Sequence, residues 1–187
     1  FFLFKLHYIR NIMYLKYFII LNLLLAINLS NAYSKKEPEE IEFIEKMYNG
    51  SEQQRKRLIV KGNTKKILKS IMGENYRKAI FSYWIKDNKT IWILNSIGKY
   101  KPITAGFVVE DCKIVSAHVL IYREQIGYEI KYPSFLSQFN GKTLRKDVKL
   151  NENLDNISGA TLSVNSMDRM GRIALVLDSL VDEKTCN

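Results

Sequence analysis

Between Ala79 and Tyr122 the apolar and polar residues recur with a period close to two, and no other part of the chain restricts its fold as much. Ile103, Ala105, Phe107 and Val109 alternate with Thr104, Gly106 and Val108. Val115, Ala117, Val119 and Ile121 alternate with Ser116, His118 and Tyr122. Before them, Ala79 to Lys86 is rich in Ile, Phe, Tyr and Trp, and Thr90 to Leu94 reads as another strand. Asp87-Asn88 and Asp111 provide the turns. Strands joined by such short turns pair antiparallel, with one face buried. Later the period becomes helical: Met170, Ile173, Ala174, Leu177, Leu180 and Val181 fall on one stripe, leaving Asp168-Arg169 and Arg172 for the other face. Pro133 to Phe139 reads as a short helix closed by Asn140-Gly141. The expected fold class is α+β, a twisted antiparallel sheet with packed helices and a long C-terminal helix.

Upstream the chain reads differently. Residues 33–76 form a helical N-terminal region. Glu37 to Tyr48 places Ile41, Ile44 and Met47 or Tyr48 on one face, Gly50-Ser51 breaks that helix, and Ser51 to Met72 continues helical with a division at Gly62-Asn63. Residues 1–32 contain Lys5, Arg10 and Lys16 but no acid. Their apolar run, Tyr17 to Leu29, ends in Ser30-Asn31-Ala32, the layout of a secretory signal peptide cleaved after Ala32. The alternative is a retained N-terminal anchor, although Asn22 and Asn28 leave the run short of the roughly 20 residues of a span. Phe1 to Ile12 precede the first Met as an upstream segment. The expected organisation is therefore 1–32, 33–76 and a functional domain over 77–187.

The chain carries 29 Lys and Arg against 19 Asp and Glu, a formal +10. The bases read as scattered among acids, which suits a solvated mixed-sign surface, and their excess favours anionic membranes or acidic partners. A nucleic-acid partner is not expected, because neither a basic stripe nor a recognisable module is present. Cys112 and Cys186 lack metal, haem or C-x-x-C spacing; they form either one disulfide or two free thiols. His7 lies in the leader and His118 in a strand, so neither has a partner for metal or triad chemistry. No catalytic residue and no metal site are expected.

Just before the C-terminal helix runs Asp155-Asn156-Ile157-Ser158-Gly159-Ala160-Thr161-Leu162-Ser163. Gly159 and Ala160 keep bulk away from backbone N–H groups, and a helix N-terminus directs its unsatisfied donors at the same point, which suits a phosphate. Thr161 adds a hydroxyl. The plainer reading is a helix N-cap by Ser158 or Thr161.

This stretch resembles the flavinylation motif of FMN-binding domains. Such domains occur in the C subunit of sodium-pumping NADH:quinone reductase, in the G subunit of the Rnf complex and in small stand-alone exported proteins. Three further blocks are similar: Lys101 to Phe107, the Tyr122-Arg123-Glu124-Gln125-Ile126-Gly127-Tyr128-Glu129-Ile130 turn, and Phe135-Leu136 with Gln138-Phe139 and Gly141. Together they cover about Trp84 to Leu180. Where the respiratory subunits carry Glu-Thr-Pro-Gly this chain has Glu124-Gln125-Ile126-Gly127, which sets it with the stand-alone group.

The resemblance implies FMN joined covalently through a phosphoester to Thr161, with Asp155, Ser158, Gly159, Ala160 and Ser163 as the recognition frame. It also implies a separate exported flavin transferase that uses FAD and magnesium. Glu124 and Gly127 would form a turn over the flavin ring, the alternative for Glu124 being a surface ion pair with Arg123 or Lys131. Tyr122 either stacks on the ring or belongs to the core. The implied function is that of an exported electron carrier, periplasmic or on the extracytoplasmic face of a membrane, with membrane or periplasmic redox partners. A flavin-dependent reductase component and a non-redox partner-binding module are the alternatives.

Overall fold

The computed structural model describes residues 37–181, together with Tyr14, Lys16 and Tyr17. The leader and its cleavage site otherwise lie outside the described residues. The chain divides into two compact units, 1–37 and 38–187, and the second holds every element that follows.

Two-residue turns build most of the sheet. Asp87 and Asn88 both have positive φ (48° and 63°), as do Asp111 and Cys112 (47° and 61°), the backbone that suits the right-handed twist of paired strands. They join β2 (Ile80–Lys86) to β3 (Lys89–Ile97) and β4 (Pro102–Glu110) to β5 (Lys113–Tyr122). The sheet is antiparallel throughout, in the order β1-β2-β3-β4-β5. Cys112 is disulfide-bonded.

Its first strand corrects the sequence expectation of helix over Ser51 to Met72. Gln54–Ile59 is β1, pairing with β2 along Gln54↔Ile85 to Ile59↔Ile80. Pairing with β2 sets this structure, because the strand Gln-Arg-Lys-Arg-Leu-Ile has no apolar period, and charged side chains are common on edge strands. The helical part is α2 (Gly62–Met72), which buries Leu68 and Ile71. The N-terminal region is thus continuous with the sheet.

Both faces of the sheet are covered. α1 (Pro38–Tyr48) packs Phe43, Ile44 and Tyr48 on Trp84, Ile91 and Val108. Ile41, expected on its buried face, is exposed. Phe43 lies directly over Gly106, where a Cβ would come within 2.4 Å of its ring. On the opposite face is the main core, filled by Ile103, Ala105, Phe107 and Val109 from β4 and by α4 (Thr161–Asp178).

Two β-bulges shift the phase of β5. Its register against β4 slips between Thr104 and Ala105 and again between Val108 and Val109, leaving Leu120 and Val115 as the extra residues. The partners of the core-facing β4 residues are therefore Tyr122, Val119, Ala117 and Ile114. Val115, expected inward, is exposed, and Ile121 pairs with Thr104 on the α1 side. The bulge at Leu120 matters most, because it carries Tyr122 onto the face that meets α4.

After β5 come a 3-10 turn (Tyr128–Lys131), α3 (Pro133–Leu136) and a second 3-10 turn (Ser137–Phe139). Phe135 and Phe139 enter the core, and Gly141 ends the segment at φ 77°. The Gln138 side chain accepts the Asp155 backbone N–H at 2.7 Å, anchoring the segment before α4.

α4 is fixed along its length. Near its end Thr90 Oγ1 donates to the buried Asp178 carboxylate at 2.6 Å and accepts from Trp92 Nε1 at 2.8 Å. At mid-helix Arg169 Nη2 donates to the Ile97 carbonyl at 2.9 Å and to Ser96 Oγ at 3.1 Å. Asp168, Arg169 and Arg172 are thus half-buried rather than fully solvated. Met170, Ile173, Ala174, Leu177 and Val181 are buried as expected, whereas Leu180, past the helix end, is exposed.

Candidate functional site

The first turn of α4 meets two chain reversals. One is the β3–β4 connection over Gly98–Lys101, the other the Arg123–Gly127 turn after β5. Between them opens a cleft of about 480 Å³ lined by Lys99, Tyr100, Lys101, Glu124, Gln125, Ile126, Gly159, Ala160, Thr161, Leu162 and Ser163. That volume lies in the range of small-molecule sites.

Glu124 joins the two reversals. Its Oε1 accepts the backbone N–H groups of Tyr100 at 2.6 Å and Lys101 at 2.9 Å. It sits over Gly98, where a Cβ would fall 2.7 Å from that oxygen. The N–H of Lys101 first, then those of Tyr100 and Lys99, hold its carboxyl below the ordinary glutamate value. It thus clamps the two turns together at the edge of the cleft. Arg123 donates to Thr104 Oγ1 at 3.1 Å and to the Pro102 carbonyl at 3.3 Å.

Gly127 lies behind the cleft. At φ 87°, its missing side chain would meet the Tyr122 hydroxyl at 2.9 Å, Ala160 Cβ at 3.0 Å and Ser163 Oγ at 3.1 Å. Glycine is needed here both for the left-handed backbone and for the close approach of the turn to α4. Tyr122 Oη bonds the Ile126 carbonyl and lies 3.1 Å from Ser163 Oγ. Its ring stands edge-on to Tyr128 at 6.0 Å. Tyr122 is thus a strut under the cleft.

The N-terminus of α4 has no side-chain cap. Its N-cap residue is Ala160, with no capping hydrogen bond from a side chain, so the reading of Ser158 or Thr161 as the cap is corrected. The chain reaches the helix through Gly159 at φ 79°, and the first-turn N–H groups remain available to an anion. Thr161 is exposed, and its Oγ1 accepts from Asn156 Nδ2 at 3.0 Å.

Of the expected frame, Thr161, Gly159, Ala160, Ser163 and Glu124 come together along the cleft. Ala160 and Ser163 are buried in its wall, while Ser158 and Asp155 are exposed and outside its lining. The sequence motif could not reveal the opposite wall of Lys99, Tyr100 and Lys101, which tertiary folding alone brings to Thr161. Leu162 and Tyr100 add apolar surface, and the two lysines add positive charge.

The antiparallel sheet backed by one long C-terminal helix is a class of fold already known from crystallography. The chain is similar to the crystal structure of NqrC from Shewanella oneidensis, with a TM-score of 0.51 and 16% sequence identity over 71% of this chain and 82% of that one. No protein-family model and no curated relative matches the sequence.

Proposed function

We propose that the chain is an exported flavoprotein domain carrying FMN covalently through a phosphoester to Thr161, and that it passes electrons between redox partners in or near a membrane. The observation that carries this reading is the placement of Thr161: an exposed hydroxyl at an uncapped helix N-terminus, in the wall of a cleft large enough for an aromatic ligand. The likeness in fold to NqrC supports it, as does the resemblance of Ser158 to Ser163 to the flavinylation motif.

The residues present fit the group. The N–H groups of the α4 first turn suit its phosphate. Tyr100, Ile126 and Leu162 offer apolar surface to a planar ring, with Lys99 and Lys101 at its side. Bound there, FMN supplies the redox chemistry, and the protein sets its position and electrostatics. Glu124 and Gly127 keep the two turns in place around it.

The hydrogen-bond partner of Thr161 Oγ1 is an amide donor, Asn156 Nδ2, which cannot take the hydroxyl proton. A free threonine hydroxyl needs a base, and in this reading an exported transferase supplies it. There Thr161 Oγ would take the FMN phosphoryl group of FAD, with the pyrophosphate P–O bond broken and AMP released, and the hydroxyl proton would pass to that base. Magnesium belongs to the transferase.

Export rests on the acid-free leader and is consistent with the disulfide at Cys112, since such bonds persist in oxidising compartments. Cleavage after Ala32 gives Tyr33 as the N-terminal residue of the mature protein; a retained leader gives an intact Met13 start in the membrane fraction. Co-expression with and without the transferase tests the covalent bond. A mass increment of FMN minus water, with flavin fluorescence surviving denaturation, is the expected result only when the transferase is present.

A further inference from the structure

Between Glu52 and Glu74 the chain holds seven basic residues and no acidic one, against a formal +10 for its whole length. The bases are therefore massed here, contrary to the scattered distribution expected from the sequence. They fall on the edge strand of the sheet and on the segment that follows it. β1 is the outermost strand, and Arg55, Lys56 and Arg57 are all exposed on it. After Val60, Lys61 leads into α2, which turns Leu68 and Ile71 to the core and leaves Lys65 and Lys66 exposed. Lys69, the seventh, pairs with Glu74 at 4.0 Å.

An apolar pair stands among these charges. Ile59 and Ile80 are cross-strand partners, 59% and 58% exposed. Ile59 shares its face of β1 with Arg55 and Arg57, by the alternation of a strand.

We propose that this basic segment is the surface by which the protein lies against a bilayer of anionic phospholipid. Its cations are spread over a strand and a helix, on both faces of β1, and most are lysines on long flexible stems. A fluid layer of headgroups can follow such a distribution. The fixed carboxylates of a folded acidic partner would match only part of it. The exposed isoleucine pair enters the boundary between headgroups and acyl chains, as apolar residues do beside basic ones at membrane surfaces.

Each cation near an anionic surface strengthens binding about five-fold, and salt weakens the attraction beyond a Debye length of about 10 Å at 0.1 M. This surface is separate from the cleft and does not depend on whether Thr161 carries a flavin.

Full-length protein is tested by co-sedimentation with vesicles of phosphatidylcholine alone and of phosphatidylcholine mixed with phosphatidylglycerol. The leader is present in every variant, so its contribution cancels. Wild type partitions onto the mixed vesicles and is released by salt. Lys65→Glu/Lys66→Glu lowers that partitioning by about 25-fold or more, and Arg57→Glu repeats the effect from the strand. Lys146→Glu/Lys149→Glu makes the same charge change on an exposed loop elsewhere, and retains most of the binding. Equal loss in both double variants, or no loss from Lys65→Glu/Lys66→Glu on the mixed vesicles, overturns the proposal.

Discussion

Tyr122 and Ser163 stand 41 residues apart in sequence with their hydroxyl oxygens 3.1 Å apart, tying the end of the sheet to the first turn of α4. The same tyrosine oxygen bonds the Ile126 carbonyl, so one side chain fixes both the helix and the turn that form the cleft. Tyr122→Phe keeps the ring and deletes these bonds. The expected cost is about 1 kcal/mol in denaturant unfolding, with faster amide exchange in the Arg123–Gly127 turn. An unchanged midpoint and unchanged exchange would show that the strut contributes nothing.

Gly127 and Gly141 separate two reasons for glycine. Both have left-handed backbones, at φ 87° and 77°. A Cβ at Gly141 meets nothing within 4 Å, whereas one at Gly127 meets Tyr122, Ala160 and Ser163 at 2.9 to 3.1 Å. Gly141→Ala is expected to cost about 1–2 kcal/mol from backbone conformation alone. Gly127→Ala should exceed it by roughly 1–3 kcal/mol from overpacking. Equal shifts in the two unfolding midpoints would mean that the turn relaxes freely away from α4.

The clamp made by Glu124 titrates. Backbone N–H groups of Lys101 and Tyr100 lower its folded pKa below the ordinary 4.5. A depressed folded pKa contributes stability that is present above the unfolded value and is lost as pH falls through the folded one. The stability difference between wild type and Glu124→Gln is thus constant at neutral pH and shrinks on acidification below about 4.5. Denaturant midpoints of both proteins across that range check the sign. A difference that grows as pH falls would contradict the clamp.

How much of this was legible beforehand differed by element. The alternation of Ile103 to Val109 and the stripe from Met170 to Leu177 announced the β4–α4 core, and all eight of the residues in those two patterns are buried. Leu177→Ala is therefore expected to cost roughly 2–5 kcal/mol, against little change for an exposed helix position such as Asn165. β1 stayed hidden because an edge strand of charged residues carries no period. The phase of β5 was lost at Val115 and Leu120, since a bulge leaves no local signature in a run of β-formers. The small-residue motif around Thr161 pointed to half of the cleft. Its other half, Lys99 to Lys101, arrives from 60 residues upstream through the turn held by Glu124, and no local pattern connects it to Thr161.

The covalent bond at Thr161 is tested most directly by intact mass after co-expression with an exported flavin transferase. Wild type is expected to gain the mass of FMN less water. Thr161→Ala should gain nothing while keeping its unfolding midpoint within about 0.5 kcal/mol of wild type, since the side chain is exposed. Thr161→Ser retains the hydroxyl and is expected to be labelled at least in part. Ser158→Ala, which alters an exposed hydroxyl outside the cleft lining, should retain at least partial labelling. A wild-type mass without the increment, or an alanine variant that still acquires it, would contradict the assignment of Thr161 as the point of attachment.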